Sequence, residues 1–327
     1  MNFLSDFTTQ GSLLRYVVAD DYIKGNYIIV WGHSICTTSD FITLENITGS
    51  LDQNAYAQGP PGRARFDTIT GVVTNPTSNK QIWVSDYGNS CIRTVNRETG
   101  FTNVLTGRCR EKTVQDGTIN SAGVAYPFGM AVSPSDRQKV YFYENGEGSI
   151  RCILRIGPSW YLRTVLGLRK KISGLNFDPA GKFLYLSYET SIVRVPTTWE
   201  NPSQEISIDF IDSIAEDIIS GVGHEDGPLE SARMKDPMHI IFLDETTFLF
   251  ADYNNHVLRM VDLLNSSIST ICVPQGTDYN VTEGAIDTCR IELPRQIVQS
   301  KESSKLYILG DYRFHELTYS GEFLSLV

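Results

Sequence analysis

Short alternating runs of apolar and polar residues, broken by polar turns, recur along the whole chain. In the stretch from residue 127 they read "PFGMAVS", "KVYFYE", "SIRCILR" and "YLRTVLG", separated by "PSDRQ", "NGEG" and "IGPSW". Apolar runs of this length, rich in Val, Ile, Tyr and Phe and bounded by Gly, Pro, Asn and Ser, predict β-strands joined by tight turns. No segment sustains the 3.6-residue period of an amphipathic helix.

The four-strand pattern is itself repeated. "QDGTINSAGVAYPFGMAVSPSDRQKVYFYENGEGSIRCI" and "HEDGPLESARMKDPMHIIFLDETTFLFADYNNHVLRMVD" share Asp-Gly, then Ala, then Pro opening an apolar strand, then an acid closing the next strand, then Arg. Asp116-Gly117 aligns with Asp226-Gly227, Ala122 with Ala232, and Pro127 with Pro237. A third copy begins at "QGPPGRARFDT" and a fourth at "EGAIDTCRIELPRQIV". The acids Asp86, Glu144, Asp252 and Asp311 are expected to hold one place, as are Arg93, Arg151 and Arg259. "SYETSIVRVP", ending near Arg194, is a shorter relative, and the N-terminal part keeps only the strand rhythm. Self-similarity at this period marks a repeat architecture. Six such units predict an all-β protein, a six-bladed β-propeller of four-stranded antiparallel blades closed on itself. The expected blades are 10–50, 51–107, 108–167, 168–209, 210–273 and 274–327 of a single domain.

These residues give local expectations. Asp-Gly supplies a turn with positive φ between blades, so His224-Glu225-Asp226-Gly227 reads as a connecting turn rather than a metal or phosphate site. The alanines wedge between blades. Pro127, Pro237 and Pro294 open inner strands, where proline costs no ladder bond. The repeat acid accepts backbone N–H groups of the turn that follows it, helped by Asn89 and by Asn254 or Asn255. The repeat Arg pairs with a carboxylate or a carbonyl. Active sites are not repeated around a ring, so all of these read as structural.

The motif Asp-Gly…Ala…Pro followed by "ADYNNHVLRMVD" or "SDYGNSCIRTV" resembles the NHL repeat, whose domains are typically six-bladed. The resemblance implies a binding module for protein in some members and RNA in others. More distant propellers are lyases or hydrolases, so the fold leaves function open. Propeller lyases of the peptidyl-hydroxyglycine amidating type hold a metal with histidines at inner-strand starts. Of His33, His224, His239, His256 and His315, only His239 lies at such a start, short of the about three ligands a catalytic zinc needs. Propeller phosphotriesterases hold calcium with Asn and Asp; Asp67, Asn176 and Asp178 are the nearest candidates here. No cofactor is implied. The expected function is therefore a non-catalytic binding module acting through one loop face. The alternative is a propeller lyase or hydrolase with calcium or zinc at its channel.

The loop face is drawn from the turns between second and third strands, "DYGNS", "ENGEGS", "YETS", "DYNNH" and "DYRFH". Tyr87, Asn89, Asn145, Tyr188, Tyr253, Asn254, His256, Tyr312 and Arg313 are its candidate binding residues, with His315 beside them. Amphipathic tyrosines and amides on rigid turns suit a protein or peptide partner. The net charge of −10 disfavours nucleic acid, since phosphate backbones demand a basic surface, and these turns supply none. No apolar run reaches the roughly 18–20 residues of a membrane helix, and the start "MNFLSDFTTQ" lacks the signature of a signal peptide.

Six cysteines without CxxC argue against zinc ribbons and thioredoxin chemistry. Two local pairings are expected, Cys91 with Cys109 and Cys272 with Cys289, leaving Cys36 and Cys152 free. Paired cysteines and the sequons at Asn46, Asn265 and Asn280 lean towards an extracellular or secreted glycoprotein domain, with a cytoplasmic chain as the alternative. Thiol-trapping mass spectrometry on protein from its native compartment is expected to find at least one disulfide; six free thiols would exclude it.

Overall fold

The computed structural model describes residues 14–167, 170–197, 216–272, 291–311, 314–319 and 324–326. Six small antiparallel sheets are arranged as a six-bladed β-propeller, and no α-helix occurs among the described residues. Sheet 1 contains β1 (Leu14–Ala19), β2 (Tyr27–Trp31), β3 (His33–Thr38) and β4 (Glu45–Ser50). Sheet 2 contains β5 (Ile69–Thr74), β6 (Gln81–Asp86), β7 (Cys91–Asn96) and β8 (Thr102–Thr106). In sheet 3, the short β9 (Gly117–Thr118) precedes β10 (Pro127–Val132), β11 (Lys139–Glu144), β12 (Ser149–Ile156) and β13 (Ser159–Gly167). Sheet 4 has β14 (Ile172–Phe177), β15 (Phe183–Tyr188), β16 (Ser191–Pro196) and β17 (Glu216–Ser220). In sheet 5, β18 (Gly227–Pro228) precedes β19 (Pro237–Phe242), β20 (Thr247–Asp252), β21 (Val257–Asp262) and β22 (Ser267–Cys272). Sheet 6 has β23 (Pro294–Gln299), β24 (Lys305–Gly310), β25 (Phe314–Tyr319) and β26 (Leu324–Leu326). Strand β17 carries the fourth sheet past residue 209, where the sequence rhythm ended that unit; "EDIIS" has too few apolar residues to announce a strand.

Sheets 1–3 form one compact unit and sheets 4–6 another. Within the first, Ile28, Val30 and Ile35 of sheet 1 pack on Phe66, Val72 and Val84 of sheet 2 and its entry. Trp83 and Ile92 of sheet 2 pack on Val124, Val140 and Phe142 of sheet 3 and its entry. In the second unit, Tyr185 and Ile192 meet Ala232, Phe248 and Phe250. Leu249 and Leu258 meet Ile297 and Ile308. Second strands are therefore covered on both faces: β2 is buried at every position, and β6, β11, β20 and β24 at all but the first. That is why they read as continuous apolar runs, whereas β4 at a sheet edge is polar and largely open. Each fully buried Val, Leu or Phe contributes about 1.5–3 kcal/mol. Ala122 and Ala232 lie in these inter-sheet layers, as the sequence suggested.

Inner strands approach closely. A Cβ at Gly71 of β5 would sit 2.7 Å from the Gly129 carbonyl carbon of β10, and one at Gly174 of β14 would sit 2.4 Å from the Met238 carbonyl oxygen of β19. The chain enters sheets 3 and 5 by running first along their outer edges: β9 pairs with β13, and β18 with β22. Here the Asp-Gly motif finds its role. Asp116 accepts the Thr164 N–H at 2.8 Å, and Asp226 accepts the Thr270 N–H at 2.8 Å. Gly227 has a φ of 119°, as expected, while Gly117 keeps a negative-side backbone.

The repeat Arg and acid form fully buried ion pairs, Arg93–Asp86 at 3.0 Å, Arg151–Glu144 at 2.9 Å and Arg259–Asp252 at 2.9 Å. The acids do not hold the turn after them, as the sequence reading had it. Asp86 Oδ1 accepts the Asp67 N–H, Glu144 Oε1 the Ala125 N–H and Asp252 Oδ1 the Lys235 N–H, all just before the inner strand of the same sheet. Each Arg also donates to carbonyls of the incoming link: Arg65 and Ala57 for Arg93, Gln115 for Arg151, Arg233 and Glu225 for Arg259. A one-residue bulge before each of these arginines turns its side chain into the link.

The pair is confined to sheets 2, 3 and 5. In sheet 6, Pro294 faces Gly310 where Pro127 faces Glu144, so Asp311 lies one residue beyond the place the sequence assigned it. In sheet 4, Tyr188 and Val193 hold the registers of Asp86 and Arg93. Arg194 is displaced by one residue, which sends it to the other sheet face, where it stacks on Phe183 at 4.6 Å. By urea unfolding, Arg259→Ala is expected to cost about 3–5 kcal/mol, because it leaves Asp252 buried and unpaired. Arg194→Ala is expected to cost less than about 1 kcal/mol.

Candidate functional site

The second-to-third turns and the links entering each sheet emerge at one end of the strands. In the unit of sheets 1–3, that end gathers Tyr87, Tyr126, Asn145, Tyr143 and Lys112. Asn145 Nδ2 donates to the Tyr87 hydroxyl at 3.1 Å. The Tyr87 and Tyr126 rings are 5.2 Å apart, tilted by 43°. Lys112 Nζ sits 4.8 Å from the Tyr126 ring centre, within cation–π range. The Tyr143 hydroxyl donates to the Lys170 carbonyl at 2.5 Å and faces Asn145 Oδ1 at 3.5 Å. Tyr87, Tyr126 and Asn145 are half-buried, so each is fixed by neighbours and still reaches solvent.

Backbone strain underlies the arrangement. Thr68, Tyr126, Asp236 and Leu293, each directly before an inner strand, have φ of 57°, 52°, 54° and 45°. Non-glycine residues in this left-handed region cost on the order of 1–3 kcal/mol each. Their partners hold them there. The Thr68, Tyr126 and Asp236 carbonyls accept the N–H groups of Tyr87, Asn145 and Tyr253. The buried acids clamp the residues just before them. The left-handed turn at Tyr126 swings its ring from the link onto Tyr87.

The link is also stapled covalently. Cys91, at the start of β7, and Cys109, just beyond β8, form the expected disulfide with 5.0 Å between Cα atoms. Arg110 N–H then donates to the Asn89 carbonyl at 2.6 Å, so the segment carrying Lys112 is tied to the "DYGNS" turn. Closing a loop of this length contributes about 3 kcal/mol. Cys36 and Cys152 are free and buried, and burial raises both thiols above the ordinary cysteine range. The pairing of Cys272 with Cys289 lies outside the described residues.

Other expected site residues divide differently. Asn89 is buried and bonds Ala55 and Asp86, so it is part of the scaffold; Asn255 does the same with Gly223 and Asp252. Asn254 instead donates to the Asp236 carboxylate. In the unit of sheets 4–6, the Tyr253 hydroxyl donates to Asp311 at 2.5 Å, and His256 Nδ1 accepts the Leu293 N–H at 3.3 Å. Tyr188 is half-buried at the acid register of sheet 4. Tyr312 and Arg313 lie outside the described residues, whereas His315 is buried on β25. Sequence reasoning missed Tyr126 and Lys112, which lie in a link rather than a turn; a tyrosine directly before the strand-opening proline was the available signal.

Among the candidates for metal or calcium ligation, Asn176 bonds the Ile240 carbonyl and Asp178 the Phe183 N–H. Asp67 accepts the Thr68 hydroxyl. His239 lies on inner strand β19, and burial lowers its pKa to about 4, so it is neutral near pH 7. Among the described residues no group of three or more His, Cys, Asp or Glu is disposed to hold a metal. His224 bonds Thr270 at 3.2 Å within the edge link, consistent with a connecting segment.

Comparison with known proteins places the fold. No family model matches the chain, and no curated protein sequence matches it. Among solved structures, an auxiliary nutrient binding protein from Bacteroides ovatus is similar with a TM-score of 0.66 at 15% identity, covering 93% of this chain and 68% of that one. Catalytically inactive virginiamycin B lyase from Staphylococcus aureus, solved with quinupristin, has a TM-score of 0.55 at 13% identity, covering 97% and 82%. The nidogen/laminin complex gives 0.50 at 10% identity, covering 85% and 82%. At these identities the likeness is one of fold.

Burial raises the pKa of Asp86 to about 6, against the pull of Arg93, and raises Glu144 and Asp252 as well. The folded chain thus holds the Asp86 proton more tightly than the unfolded chain, whose carboxyl titrates near 3.8. The stability this gives is fully present below the unfolded value and is lost as pH rises through about 6. Urea midpoints measured between pH 4 and 7 should show Asp86→Asn flattening that decline.

Proposed function

We propose that this chain is a non-catalytic binding module, an NHL-type propeller that takes a protein or peptide ligand on its second-to-third-turn face. The observation that carries the reading is the Tyr87–Tyr126–Asn145 cluster. Its two rings and one amide are held by mutual bonds at the mouth of sheets 2 and 3, on links fixed by strained backbone and a disulfide. Immobilised amphipathic side chains lose little entropy on binding and are frequent anchors of interfaces. Tyr253 and His256 serve the corresponding turn of sheet 5. Two of the similar structures are a nutrient binding protein and a nidogen/laminin complex, which supports binding rather than chemistry. The disulfide supports an extracellular or secretory setting, since such bonds persist in oxidising compartments.

Peptide ligands selected from a random displayed library against the folded protein provide the test. Tyr87→Ala and Tyr126→Ala are each expected to weaken the selected peptides by about tenfold or more. Phe101→Ala, at the third-to-fourth turn of sheet 2, is expected to leave them unchanged. Selected ligands indifferent to both tyrosines would overturn the reading.

A further inference from the structure

The tyrosine cluster is ringed by cations in a chain whose net charge is −10. The link after β8 carries Arg108, Arg110 and Lys112, all exposed, and the link after β13 carries exposed Lys170 and Lys171. They are far apart in sequence and are brought to the same cluster by the contacts already described. Lys112 stacks on Tyr126, Tyr126 on Tyr87, Asn145 bonds Tyr87, and Tyr143 bonds the Lys170 backbone. Arg110 is fixed through its own N–H to Asn89. Only two exposed acids share these segments, Glu111, which lies 3.8 Å from Arg108, and Glu147 in the "ENGEG" turn. Glu144 is buried and already neutralised by Arg151.

Resting on the binding-module reading, we propose that this face recognises an acidic peptide segment, its carboxylates taken by Arg110, Lys112, Lys170 and Lys171 and its backbone or apolar side chains laid on Tyr87 and Tyr126. A local basic patch on an acidic protein selects a short anionic segment by complementarity of field. A long polyanion such as a nucleic acid must run beyond the patch onto like-charged surface, which repels it.

The test titrates fluorescein-labelled deca-glutamate, deca-glutamine and a single-stranded oligodeoxynucleotide of equal length into the full chain, read by anisotropy at low and physiological salt. Deca-glutamate is expected to bind tighter than either comparator. The triple charge reversal Arg110→Glu, Lys112→Glu, Lys170→Glu is expected to weaken it at least tenfold. The reversal Lys24→Glu, Lys80→Glu, Lys182→Glu makes the same change in net charge at first-to-second turns, the opposite strand ends, and is expected to change it less than twofold. Thermal melts of both triples confirm that they fold; should the patch triple unfold, Lys112→Glu alone carries the test with an expected loss of about threefold. Equal losses from the two triples, no binding of deca-glutamate, or tighter binding of the oligonucleotide would each overturn the proposal. If neutral selected peptides still bind in a Tyr87-dependent way while deca-glutamate does not, the preference for acid falls and the binding face stands.

Discussion

A guanidinium buried against a carboxylate is the interaction on which the regular part of this propeller depends. Arg93, Arg151 and Arg259 have no exposed side-chain surface, and neither do their acid partners. Such pairs add little net stability, because desolvating two charges consumes most of their attraction. Their effect is to make alternatives costly. Each acid must face the N–H before its own inner strand, and each Arg must face the carbonyls of the incoming link. A slip of either element would strand a buried charge. The planar fork of arginine suits this task, since it serves one carboxylate and two carbonyls at once. Sheets 1, 4 and 6 lack the pair, and other residues, Trp31 with Ile35, Tyr188 with Val193, and Gly310 with His315, stand at its registers.

The same clamps account for the binding face. Holding the residue before the clamped N–H in a left-handed conformation is unfavourable locally and is sustained by the acid, the turn N–H and, at Pro127, Pro237 and Pro294, by a ring that fixes the strand start. The consequence is a set of short, rigid links whose side chains project at the ends of the sheets. Between sheets 2 and 3, the Cys91–Cys109 bond adds a covalent hold, and Lys112 and Tyr126 are delivered onto Tyr87. Strain and stapling fix a surface that water alone would leave loose, which lowers the entropy lost when a ligand is bound.

Several residues show how far the site was legible. Tyr87 and Asn145 follow the repeat acid in the turn motif, so their place at a common strand end could be read from the repeat. Asn89 looked equivalent to them and is instead buried beneath them, because a residue three positions after the acid points back to its carboxylate. The basic rim was not legible at all. Its lysines and arginines lie in links some sixty residues apart (Lys112 and Lys170), and only the pairing of strands brings those links together. Arg194 and Asp311 were misplaced for a simpler reason. Sheet period is two, so an offset of one residue exchanges the faces of a strand, and a motif match cannot detect it.

Sequence alone determined the strand rhythm, the sixfold repeat, the prolines at inner-strand starts and the pairing of Cys91 with Cys109. Each is local, set by alternation, turn chemistry or short separation along the chain. Only the tertiary structure decided which sheets carry the buried ion pair, which turn residues are scaffold and which face solvent, and where the cations gather. Those depend on register and on contacts between sheets, and the energies that select a register are summed over whole strands rather than written at any single position.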